Sequence, residues 1–204
     1  MDASKKHKAT VNLLFEVGML AKSPRTGFHF LGSGSQSIAE HTNRTVYIGL
    51  VLGLLDGKVD VGKILKMCLL HDLAEARTGD LNYVHQKYVE ADEAKAIEEL
   101  VGTLEFGDQL MVILEEYKQR QTRESILAKD ADNIEWILSL KEELDIGNTR
   151  ANAWLPSAVK RLKTEVAKEL AETIINTNSD EWWFGNGQDD WWVNRSTINR
   201  DKRF

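Results

Sequence analysis

The sequence predicts an all-α protein, and three observations carry that expectation. Apolar residues recur at three- and four-residue steps through most of the chain. No stretch of useful length alternates as a strand would. Only 2 prolines interrupt 204 residues, which leaves room for long helices. That length suffices for one domain with a sizeable core. A composition of 42% hydrophobic and 28% charged residues is ordinary for a soluble globular protein.

The first helix is expected from about Ser4 to Lys22, with Val11, Leu14, Phe15, Met19 and Leu20 near helical spacing. Ser23-Pro24 ends it, and a loop runs from Arg25-Thr26-Gly27 through Phe28-His29-Phe30-Leu31 to Ser35. Ser37-Ile38-Ala39-Glu40 is a capping box that starts a second helix. His41 follows in its first turn, on the stripe of Ile38, Thr45, Ile48, Leu52 and Leu55 that faces the core. After the Asp56-Gly57 turn, Asp60 caps a third helix that is expected to run unbroken to Gly79, with Leu65, Cys68, Leu69 and Leu73 on its buried side. The stretch 81–89 is polar and aromatic without a period, and His85 in it reads as a surface residue. Further helices are expected over about 91–104, 109–120 and 122–144, and a last one from Pro156, in its first turn, to about Asn176. The domain is thus expected over residues 1–177, followed by an arm over 178–204 that holds Trp182, Trp183, Trp191 and Trp192. So much apolar surface is expected to pack on its own domain or on a second subunit.

A net charge of −6 argues against a nucleic-acid polymer as partner, because binding a phosphate backbone needs a basic stripe. It leaves room for a small phosphorylated ligand. The single cysteine, Cys68, allows no internal disulfide and suits a reducing cytosol. Lys5, Lys6 and Lys8 precede an apolar segment, but Asn12 and Glu16 break it and no cleavage pattern closes it. No run approaches the roughly 18 apolar residues of a membrane span. A cytoplasmic location without a membrane partner is the expectation.

His71 and Asp72 interrupt the apolar third helix, an odd place for charge. Burying a charge costs several kcal/mol or more unless it is paired or holds a metal. On a helix, Glu75 shares a side with both. An adjacent pair makes a metal site only if other helices complete it. His41 is one candidate, and Ala128-Lys129-Asp130-Ala131-Asp132-Asn133 supplies two aspartates. Mixed His and carboxylate ligation suits Mn, Co, Fe, Zn, Ni or Mg and does not choose among them.

The order His41, His71-Asp72, then an aspartate in Asp130-Ala131-Asp132, resembles the H…HD…D signature of the HD-domain metal-dependent phosphohydrolases. Pro24-Arg25-Thr26-Gly27, Ala39-Glu40-His41, His71-Asp72-Leu73-Ala74-Glu75, Thr78-Gly79-Asp80 and Lys129-Asp130-Ala131-Asp132 are similar to the 5′-deoxynucleotidase branch. The resemblance covers roughly residues 7 to 145. It implies a helical HD-domain bundle that binds one divalent metal ion and hydrolyses nucleoside 5′-monophosphates as a homodimer. It further implies that His41, His71, Asp72 and Asp132 hold the ion, that Glu75 orients or deprotonates the attacking water, that Arg25 clamps the phosphate, and that Asp80 contacts the sugar or supports the site. On helical periodicity alone Asp130 lies on the apolar stripe and Asp132 nearly opposite. Periodicity and family pattern therefore disagree, and the pattern is followed. Two other functions fit the same residues: hydrolysis of another small phosphate ester, nucleoside triphosphate or cyclic nucleotide, and non-catalytic nucleotide sensing.

Overall fold

The structure is a computed structural model that describes residues 3–185. The helices are α1 (Ala3–Val17), α2 (Phe28–Leu31), α3 (Ile38–Asp56), α4 (Val61–Leu70), α5 (Glu75–Thr78), α6 (Glu93–Val101), α7 (Gly107–Gln119), α8 (Arg123–Asp145), α9 (Thr149–Val159), α10 (Glu165–Asn176) and α11 (Glu181–Phe184), with a 3₁₀ turn at His85–Lys87. Among the described residues the sole β-type pairing is an isolated bridge between Pro24 and Ser37. The all-α expectation therefore holds.

The longest helix, α8, is the axis of the bundle. Leu127, Ala128, Ala131, Ile134, Ile137 and Leu140 along it are fully buried, and α3, α4, α9 and α10 pack around it. Because it is covered on several sides, α8 also buries Asp130, Glu135, Lys141 and Glu143. A helix enclosed this way has no single polar face, so a periodicity argument loses its power to sort its residues. A smaller cluster joins Leu73 and Ala74 to Ala96, Ile97, Leu100 and Val101 of α6.

The approach of α3 to α4 depends on two glycines one turn apart. A Cβ on Gly49 would lie 2.6 Å from Cys68 Sγ, and one on Gly53 would lie 3.1 Å from side-chain atoms of Ile64 and Val61. With nothing at those positions the two backbones close up, and His41 near the start of α3 can meet His71 at the end of α4. The capping box at Ser37 and the Asp60 cap are both formed.

Several expectations need correction. The third helix is not continuous: α4 stops at Leu70, His71 is its C-cap, and a tight turn leads to α5. The cause is local. His71 Nδ1 lies 2.8 Å from Cys68 O and takes the carbonyl that the next helical N–H would use. The following bonds, Leu73 N to Leu70 O and Glu75 N to Asp72 O, tighten to the i+3 pattern. Leu69 and Leu55, expected on buried stripes, are 59% and 60% exposed, and Leu14 and Phe15 of α1 are exposed as well. Pro156 does not begin the last helix. It lies inside α9, which Asn148 caps, and α10 starts separately behind a Thr164 cap. The stretch 28–31, expected as loop, forms one helical turn that buries Phe28 and Leu31. In the aromatic arm Trp182 is 87% exposed, while Trp191 and Trp192 lie outside the described residues.

Candidate metal centre

Three helices bring His41, His71 and Asp132 together, with one ligand atom from each within 4.8 Å of the others. His41 Nε2 lies 3.2 Å from His71 Nε2 and 3.1 Å from Asp132 Oδ1. Asp72 Oδ2 lies 3.2 Å from His71 Nε2 and 3.5 Å from His41 Nε2. The break after Leu70 is what turns consecutive residues, His71 and Asp72, toward a common point.

The protonation pattern of the two imidazoles bears on what this point can hold. His71 Nδ1 faces a carbonyl oxygen, which accepts only, so that nitrogen carries the proton. His41 Nδ1 faces Glu135 Oε2 at 2.6 Å and must donate likewise. Were both rings neutral, they would present Nε2 lone pairs to each other, an arrangement that repels unless a proton or a metal cation stands between them. Fixing Nδ1 through a carbonyl or carboxylate is the usual way a protein sets a metal-binding tautomer. The donor set of two imidazoles and two carboxylates fits a divalent ion.

The electrostatics point the same way. Burial lowers the affinity of His41 for a proton, yet its bonds to Asp132 and Glu135 outweigh that and raise its pKa to about 9. Burial would push up the carboxyl of Asp72, but His71 and His41 hold it down at about 2. Asp132 is held well below the usual carboxylate range, against burial, by Lys129, His41 and His71. A cluster that draws a proton so firmly onto His41 is built for positive charge.

Glu135 and Arg44 were not singled out from the sequence. Glu135 is fully buried and accepts from Gln36 Nε2, Arg44 Nε and Arg44 Nη2 in addition to its bond with His41. Their signal was spacing: Arg44 stands one turn after His41 on α3, and Glu135 one turn after Asp132 on α8.

Asp72 and Asp132 of the cluster line a cavity of about 300 Å³ whose walls also include Arg25, Glu75, Asp80 and Lys129. Arg25 Nη1 lies 3.4 Å from Asp72 Oδ2 and 3.9 Å from Asp80 Oδ1. Burial opposes the charge on Arg25, but Asp72, Asp132 and Asp80 overcome it and raise its pKa further. Asp80 accepts from the backbone N–H and hydroxyl of Thr26, at 2.6 and 3.2 Å, and so ties the Arg25 loop to the end of α5. Glu75 is raised to about 9 by burial and by the charges of Asp72 and Asp80, and its Oε2 is buried without a hydrogen-bond partner. Asp130 does not line this cavity. Its carboxylate accepts from Lys163 N, Thr164 N and Thr164 Oγ1 and so holds the Thr164 cap that begins α10. His85 is exposed and bonds Asn82, as expected of a surface residue, and His29 is exposed outside the cavity.

The HD domain family model matches residues 17–174. The chain belongs to the HD-domain family. This HD-domain protein is 35% identical over 138 residues to the 5′-deoxynucleotidase HDDC2 of Dictyostelium discoideum, an alignment that covers 61% of this chain and 72% of the relative. To the human 5′-deoxynucleotidase HDDC2 it is 24% identical over 145 residues, covering 68% of this chain and 70% of that one. Among solved structures, a conserved hypothetical protein from Pyrococcus furiosus superposes with a TM-score of 0.71 at 29% identity, covering 82% of this chain and 99% of that chain.

Proposed function

We propose that this HD-domain protein is a metal-dependent phosphomonoesterase that hydrolyses deoxynucleoside 5′-monophosphates to nucleoside and phosphate. The observation that carries the reading is the convergence of two imidazole Nε2 atoms on Asp132, which itself lines a cavity walled by Arg25 and Glu75. The relatives named as 5′-deoxynucleotidases supply the nucleotide.

His41, His71, Asp72 and Asp132 would hold the ion, and Glu135 would orient His41 from behind. A divalent ion bound there supplies Lewis-acid chemistry, polarising a phosphoryl oxygen and making water more acidic. Arg25 meets a phosphate with a planar guanidinium suited to bidentate contacts, and the Thr26–Asp80 bonds fix its loop. Glu75 holds and deprotonates the attacking water. Its proton affinity, raised by burial and by Asp72 and Asp80, would fall from its raised value as positive charge in the cluster offsets the two aspartates, toward the range where a general base works best.

Release of phosphate from a panel of nucleoside mono- and triphosphates, cyclic nucleotides and simple esters, with and without Mn or Co, tests the reading. Metal-dependent release from deoxynucleoside monophosphates is expected. No release from any monophosphate under any metal sinks it, and release from another ester alone would move the substrate class. A homodimer is part of the proposal, because Tyr47, Val51, Leu54 and Leu55 leave an apolar face of α3 exposed. Sizing in solution checks that.

A further inference from the structure

Two loops that the catalytic reading does not use also line the cavity. One carries Tyr83 and the other Arg161, and both side chains line the same cavity as Asp72, Glu75 and Asp132. Tyr83 is 46% exposed, which leaves part of its ring open to a ligand. Arg161 Nη2 donates to Tyr83 Oη at 2.5 Å, and its guanidinium carbon lies 5.2 Å from the centre of the ring. Arg161 makes this contact while solvent-exposed, with no carboxylate partner recorded among the described residues.

Both loops are held firmly from below. Leu162, next to Arg161, is buried in the core, and Lys163 N and Thr164 N are held by the Asp130 carboxylate. Asp130 therefore anchors the Arg161 loop to α8 only two residues before Asp132. On the other side Asn82 is buried and its Oδ1 accepts from Val84 N and His85 N, while Gln86 Nε2 donates to Leu81 O. The two side chains are exposed, but their backbones are preset. Such preorganisation lowers the entropic cost of closing on a ligand.

We propose that Tyr83 and Arg161 form a clamp that stacks on the nucleobase of the substrate, so that the base is read by its face and not by its edge. The inference rests on the nucleotide reading above. A phosphate drawn to Arg25, beside Asp72, leaves the remainder of the ligand to occupy the rest of the same cavity, which these two groups line. A phenol ring and a guanidinium both stack on planar bases, and neither requires a particular pattern of donors and acceptors. The clamp would therefore accept several bases, purines more tightly because of their larger face. Tyr83 and Arg161 touch the ligand but not the reacting atoms, so they are binding residues and not catalytic ones.

The test is calorimetric binding to the manganese-loaded protein carrying Glu75→Gln, so that ligand is not consumed, with dAMP, dCMP and deoxyribose 5-phosphate as probes. The nucleotides should bind at least about tenfold more tightly than the base-free sugar phosphate. Tyr83→Ala and Arg161→Ala should each remove most of that advantage, with the loss confined to the base-bearing ligands. Tyr83→Phe, which keeps the ring and loses the bond to Arg161, should retain most of it. The clamp is overturned if the nucleotides bind no better than deoxyribose 5-phosphate, or if either alanine variant weakens all three probes equally. Failure of the activity reading looks different: the unmodified protein would release no phosphate from nucleotides while this binding pattern still held.

Discussion

His41 Nδ1 lies 2.6 Å from Glu135 Oε2, and the two side chains, one from α3 and one from α8, are both fully buried. The pair sets the tautomer of an imidazole whose other nitrogen faces His71 and Asp132. Glu135→Gln keeps the size of the side chain and removes the negative charge. Metal affinity should fall roughly 10- to 100-fold, the usual cost of losing such an outer partner. Competition with a chelating dye measures it. Unchanged affinity would reduce Glu135 to a structural partner of Arg44.

The metal-free protein should become less stable as pH rises from about 6.5 toward 9. His41 and Glu75 both have folded-state pKa values raised to about 9, against ordinary values of 6.5 and 4.5. A group with a raised pKa binds more protons folded than unfolded, so its contribution is lost as pH climbs through the folded value. Glu75 starts to lose its share above 4.5, and His41 above 6.5. Adding Mn should lift the melting temperature most at the alkaline end, because ion and proton compete for His41 Nε2. Scanning calorimetry in EDTA and in Mn from pH 6 to 9 reads both curves. Metal-free melting temperatures that rise over that range would contradict the raised values.

The helices were legible in the sequence because caps and periodicity agree locally. Ser37-Ile38-Ala39-Glu40 and Asp60 each marked a helix start on their own. The break at His71 was not legible, since it comes from a side chain taking a carbonyl in competition with the backbone, and the apolar run continues across it. Nor was the split of α9 from α10, where Asp130, more than 30 residues earlier, supplies the acceptor that organises the new helix start. His41, His71, Asp72 and Asp132 could be picked out by resemblance. Glu135 escaped because its spacing, one turn after Asp132, is shared by ordinary solvated helix glutamates, and only its burial sets it apart.

Glu75→Gln should bind metal with near-normal stoichiometry and lose about 10²- to 10⁴-fold in turnover. The amide preserves shape and cannot accept a proton from water, and a positioned general base contributes on that order. Metal content by elemental analysis and steady-state phosphate release together decide it. A fully active variant removes Glu75 from the chemistry, whatever its place in the cavity.

Asp130 and Asp132 are two residues apart on α8 and should fail in different ways. Asp132 Oδ1 lies 3.1 Å from His41 Nε2, and its other oxygen pairs with Lys129 at 2.5 Å. Asp130 instead satisfies two backbone N–H groups and a hydroxyl at the start of α10. Asp132→Asn should therefore lose most bound metal, and the metal-free fold should lose stability as well, because Lys129 and His41 lose the carboxylate that pairs with them. Asp130→Ala should keep the metal stoichiometry and destabilise the fold by roughly 2–5 kcal/mol, since buried N–H groups lose their acceptor and α10 loses its anchor. Elemental analysis and chemical denaturation on the two variants separate the cases. If Asp130→Ala lost the metal and Asp132→Asn kept it, the ligand would be the aspartate that helical periodicity favours.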